Sequence, residues 1–158
     1  MAMSMNSVQP IWGASAKEAF LRRRFQLAAR PHCAVLRIFS DTGYELFLNG
    51  RLVAVVDEWN NTRDYEVTPF LHEGENLAAV HVLNHSGHRG CSLELCCDGA
   101  VELISDGSWR ASDCEKWGWI LPEFDDRGWA GARIVPLQYA GLPQWRGHAG
   151  DHPERGIP

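Results

Sequence analysis

The sequence predicts an all-β fold, an antiparallel β-sandwich, on three observations. Short apolar runs recur along residues 20–104 at intervals of about 8–12 residues, each bounded by Gly, Pro, Asn or Asp. Two of the boundaries, Asn49-Gly50 and Asp98-Gly99, join apolar runs directly. Such pairs make two-residue hairpin turns because both positions tolerate positive φ. Residues 44–48 (YELFL) alternate with period two, placing Tyr44, Leu46 and Leu48 on one face and Glu45 and Phe47 on the other.

The elements follow in order. Residues 20–27 (FLRRRFQL) read as a strand; Ser15 could instead cap a helical start at residues 16–19. Residues 33–41 (CAVLRIFSD) form the next strand, and Thr42-Gly43 a turn. The hairpin of residues 44–48 and 51–56 closes over Asn49-Gly50. A polar loop, 57–61, carries Trp59 and leads to a strand at 62–67. Pro69 and Gly74 break the chain through a loop at 68–76. Strands at 77–83 and 91–97 flank a polar turn at 84–90, and residues 101–104 return from Asp98-Gly99. Beyond Ser105 the pattern weakens: residues 105–119 are Trp-rich and irregular, 124–129 (FDDRGW) read as a tight turn, and 132–137 as a last strand.

The chain has 158 residues, enough for one domain with a real core, and 45% of them are hydrophobic. A net charge of -5 argues against nucleic acid or an anionic membrane as partner, since both call for a basic face. No apolar run approaches the ~20 residues that span a bilayer. Residues 1–10 lack a basic n-region and an apolar h-region, so the expectation is a chain without a signal peptide, inside the cell or cut from something larger. The five cysteines match no zinc spacing and read as reduced thiols used as small hydrophobes.

Loops joining strands that cross the full height of a sandwich alternate between its poles. With Asn49-Gly50 at one pole, loop 68–76 and Asp98-Gly99 share it. The opposite pole then collects turn 41–43, loops 57–61 and 84–90, and the segment after Ser105. That pole gathers Asp41, Asp57, Trp59, Asn60, Asn84, His85, His88, Arg89, Asp106 and Trp109. Hydrogen-bonding side chains beside flat aromatics suit a sugar, whose ring faces are apolar and whose edges are polar, and loops on a rigid scaffold are where binding concentrates. Trp117 and Trp119 are further candidates for a stacking face; for most of the seven tryptophans, packing is the plainer reading. The sugar-binding candidates are therefore Asp41, Trp59, Asn60, Asn84, His85, His88, Arg89, Trp117 and Trp119.

No cofactor is expected. Calcium, bound by Asp41, Asp57 and loop carbonyls, is the metal the pattern would accommodate, though no EF-hand spacing is present. His81, His85 and His88 lack the partners of a zinc site, and His81 falls in phase with Leu77, Ala79 and Leu83 as a packed strand residue. Glycoside hydrolysis needs two carboxyl groups about 5–9.5 Å apart across a sugar. The adjacent Asp125 and Asp126 diverge and suit a turn, and neither a G-x-S-x-G elbow nor a phosphate-cradling loop occurs. Catalysis by this chain is not expected.

Taken together, FLRRRFQL, ELFLNGRLVA, YEVTPFLHEGENLAAVHVLN, LISDGSWRAS and FDDRGW resemble the N-terminal β-sandwich of bacterial α-L-rhamnosidases and related glycoside hydrolases. The resemblance covers roughly residues 12–137. It implies a jelly roll of the galactose-binding-domain-like kind, with catalysis in a separate α/α barrel that this chain lacks. It also implies carbohydrate, and a glycoside hydrolase catalytic domain, as partners. The matching positions around Asn49-Gly50, residues 67–76, Asp106 and Trp109 look structural, so no catalytic residue carries over. The expected organisation is a lead-in over 1–11, a carbohydrate-binding-like sandwich over 12–137 and a Gly/Pro-rich tail or linker over 138–158. The expected function is a non-catalytic carbohydrate-binding or accessory domain, the alternative being a structural or protein-interaction sandwich with no sugar affinity.

Overall fold

The computed structural model describes residues 8–58, 62–85 and 89–135. Its strands are β1 (Ile11–Trp12), β2 (Glu18–Leu27), β3 (Ala34–Asp41), β4 (Gly43–Leu48), β5 (Arg51–Asp57) and β6 (Arg63–Glu66), then β7 (Gly74–Leu83), β8 (Gly90–Cys97), β9 (Ala100–Ile104), β10 (Arg110–Ser112), β11 (Ala130–Gly131) and β12 (Arg133–Ile134). They build two antiparallel sheets. One runs β12-β1-β8-β3-β6, with β9 also on β8; the other runs β11-β10-β2-β7-β4-β5. The all-β sandwich is therefore the fold, and each long apolar run of the sequence is one of its strands.

Period-two alternation decides what lies between the sheets. Leu36, Ile38, Leu46, Leu48, Val80 and Leu93 are fully buried there, around Trp12, Tyr44 and Trp109. Fully burying one such aliphatic side chain stabilises by roughly 1.5–3 kcal/mol. The Tyr44 hydroxyl lies 2.8 Å from that of Tyr65, and burial pushes its pKa far up. Cys91 and Cys97 do face the core, where burial pushes both thiols up to about 12.

The hairpin turns have the geometry that the sequence demands. Asn49 and Gly50 have φ of 52° and 82°, and Asp98 and Gly99 have 51° and 85°. Asn49 does more than turn the chain. Its Nδ2 donates to Phe70 O and Asn76 Oδ1, and its Oδ1 accepts from Leu77 N, each at 2.8 Å. One side chain thus ties the hairpin to the short 3-10 turn Thr68–Phe70 and to β7. Asn49→Gly keeps the backbone geometry and removes these bonds. It is expected to lower stability by about 1–3 kcal/mol, the range for lost side-chain bonds that leave partners unmet, read as a lower urea midpoint with unchanged slope.

Several features differ from the sequence expectation. Residues 16–19 are not helical: β2 begins at Glu18, and Ser15 Oγ accepts from Lys17 N instead. Ile11 already belongs to β1, and Gln9 N donates to Ser105 O. The strand expected at 132–137 is β12, two residues long, with 136–137 outside the described residues.

The irregular stretch after β10 is a strap across the outer face of the second sheet. Its successive turns are closed by Trp119 N to Lys116 O, Leu121 N to Gly118 O, Phe124 N to Leu121 O and Trp129 N to Asp126 O. Trp119 packs against Phe20 and Ala79, flanked by Phe47, Ile120, Phe124 and Trp129, as a second apolar cluster. The fastening is Arg22, on the same outer face of β2. Its side chain is fully buried, and it donates to Asp126 Oδ2 at 2.8 Å and to the carbonyls of Trp119, Leu121 and Phe124.

Candidate functional site

Cross-strand register orders the outer face of the second sheet into rows. Asp57, Gly43, Leu83 and Glu18 form the row nearest one pole, and Val55, Glu45, His81 and Phe20 form the next. At that pole His85 leaves β7 and donates from Nε2 to Asp57 Oδ1 at 2.9 Å, while its backbone N donates to Thr42 Oγ1. Asn84 Nδ2 donates to Ala16 O. Lys17, Glu18, Leu83, Asn84 and His85 line an open cleft of about 420 Å³. The side chains of His85 and Asp57 are 62% and 68% exposed, so their polar atoms remain open to a ligand.

In the second row, His81 lies between two carboxylates. Its Nε2 is 2.7 Å from Glu18 Oε1 and its Nδ1 is 3.0 Å from Glu45 Oε1. Phe20 stacks on the imidazole, with centroids 4.2 Å apart and planes 4° from parallel. Glu45 also lines a second cleft, of about 270 Å³, with Phe47, Glu115, Gly118, Trp119 and Ile120. Between Glu115 and Gly118 stands Trp117, 93% exposed. The arrangement offers carboxylate acceptors, imidazole nitrogens and a free aromatic face along one surface.

Loop alternation is met in part: Trp109, expected at this pole, is buried between the sheets, and Asp106 bonds to Ser108, which accepts from Arg23 midway along β2. Asp57, Asn84 and His85 come together, and Arg89 is exposed next to Gly90, which pairs with Asp41. Asp41 itself is only 7% exposed at the end of β3. Trp59, Asn60 and His88 lie outside the described residues. Trp119 is corrected: it is 4% exposed, edge-on to Phe20 and Phe47 beneath the strap, and offers no face for stacking. Asp106 and Trp109 brace the loop after β9. Among the described residues, no three or more His, Cys, Asp or Glu side chains form a group that could hold a metal ion. Glu18, Glu45 and His81 were absent from the sequence candidates. Their signal was the outward phase of Glu45 in β4 and of His81 in β7, legible only once the register brought them together.

No family model matches the chain. Its sequence is 33% identical over 144 residues, 84% of the chain, to an α-L-rhamnosidase of Streptomyces avermitilis, of which it spans 14%. The crystal structure of a Streptomyces avermitilis α-L-rhamnosidase complexed with L-rhamnose superposes with a TM-score of 0.72 at 31% identity, over 80% of this chain and 14% of that one. The GH78 family rhamnosidase of Bacillus sp. GL1 gives 0.73 at 26% identity, over 80% and 18%. The apo lectin of Pleurotus ostreatus gives 0.73 at 26% identity, over 87% and 43%. Homology over most of the chain and a shared two-sheet architecture lead to one conclusion: this is a rhamnosidase-type β-sandwich domain, homologous to a domain-sized part of α-L-rhamnosidases.

Proposed function

We propose that the chain is a non-catalytic carbohydrate-binding accessory domain of a rhamnosidase-like glycoside hydrolase. The observation that carries this reading is the span of the homology, one sandwich amounting to 14% of a glycoside hydrolase. The lectin of Pleurotus ostreatus, with the same architecture, supports sugar recognition. The pole cleft supplies suitable groups: the Asp57–His85 pair accepts from or donates to vicinal hydroxyls, with Lys17, Glu18 and Asn84 around it. The sequence candidates Arg89, Trp59, Asn60 and His88 remain part of this proposal, as does a calcium ion at Asp41 and Asp57.

Calorimetric titration with L-rhamnose and galactose, with and without calcium, tests the reading. Saturable binding is expected, near the millimolar range in which a few hydrogen bonds and one stacked ring hold a ligand. His85→Ala is expected to weaken it several-fold. An aryl rhamnoside is expected to remain unhydrolysed. Absence of binding to every sugar would favour the second reading, a protein-interaction sandwich. That reading draws on the exposed Leu52 and Val55 of edge strand β5.

A further inference from the structure

We infer that the ligand of this domain is a neutral oligosaccharide lying along the outer face of the second sheet, from the pole cleft to Trp117. The inference rests on the sugar-binding reading above. The two clefts are not separate features. Glu18 lines the first, Glu45 lines the second, and His81 bridges the two carboxylates.

From the row of Glu18 to that of Phe47 is four residues along β4, about 13 Å at the rise of an extended strand. That exceeds one pyranose ring and suits a short chain of them. Trp117 is the one large aromatic standing free among the described residues, since Trp119 and Phe47 are packed against each other. A Trp left 93% exposed, between Glu115 and Gly118 of the second cleft in sequence, has no packing role, and its flat face suits an apolar sugar face.

Charge narrows the ligand class. The two clefts contribute Glu18, Glu45 and Glu115 against Lys17 alone. Carboxylates accept hydrogen bonds from hydroxyl groups, as neutral sugars present them, and repel uronates and sulfated glycans.

The test titrates the full chain with neutral mono-, di- and tetrasaccharides of rhamnose and galactose, with polygalacturonate as the acidic comparison. Affinity is expected to rise with length and to fall roughly tenfold in Trp117→Ala and in Glu45→Gln, with thermal midpoints unchanged in the exposed Trp117 variant. Monosaccharide binding that gains nothing from length and ignores both variants overturns this inference and leaves the accessory-domain reading standing. Preference for polygalacturonate also overturns it. No binding to any saccharide overturns both.

Discussion

Arg22→Met is expected to lower stability by about 3–5 kcal/mol, the usual consequence of removing one partner of a buried ion pair. The side chain is fully buried on the face of a sheet, where a charged group survives only with its donors satisfied. Losing it leaves the Asp126 carboxylate, 9% exposed, with Arg24 as its remaining cation and takes one donor from each of three strap carbonyls. The thermal midpoint is expected to fall on the order of 10 °C. Trp119 and Trp129 emission should shift to the red as the strap loosens. A midpoint within a degree or two of the parent would show that the apolar cluster alone holds the strap down.

The same clasp sets an acid limit. Burial raises the Asp126 pKa, but the hydrogen bond from Arg22 and the charges of Arg24 and Arg22 outweigh it and hold the carboxyl below its ordinary value of 3.8. A depressed folded-state pKa contributes stability above the unfolded value and loses it as pH falls through the folded one. The parent protein is therefore expected to lose stability below about pH 4, and Arg22→Met to show a shallower loss there in pH-dependent melts.

Trp109→Ala is expected to cost about 3–5 kcal/mol. The indole is 1% exposed between the sheets, and its Nε1 donates to Ile104 O at 2.9 Å. The backbone of Trp109 also carries the return of the chain, since Ala132 N donates to its carbonyl at 2.8 Å. Against a total stability of about 5–15 kcal/mol, such a loss leaves a marginal fold. Trp109→Phe keeps most of the apolar volume and drops the indole bond, and is expected to fall between the parent and the alanine variant in chemical denaturation. Equal midpoints for Phe and Ala would place the whole effect in the indole N–H.

Much of the sandwich was legible because its strands are long enough to show a period. β3, β4, β7 and β8 each run six to ten residues with apolar positions in phase, and their turns carry residues that accept positive φ. β1 and β11 were not, for two residues carry no periodicity, whereas β12 was expected, over a longer range. The fastening of the strap was hidden for a different reason. Arg22 and Arg24 look like a solvated face in FLRRRFQL, yet both bind Asp126, some hundred positions along the chain. FDDRGW was recognised as a turn, and it is one, but the role of Asp126 as counterion needed the tertiary contact.

The candidate site divides the same way. Loop alternation brought Asp57, Asn84 and His85 to one pole, because counting strands suffices for that. The Glu18–His81–Glu45 bridge needs the register of three strands at once, and no single segment carries it.

The strap also bears on how the domain can be divided. Cut after β10, the chain would retain nearly every strand of both sheets. It would nevertheless bare Phe20, Phe47 and Ala79 to water and leave a guanidinium on an oily surface without its counterion. The stretch between β10 and β11, which holds no strand, is thus the part that makes the second sheet soluble on its far side. Excision boundaries drawn from strand content alone would yield a sticky remnant.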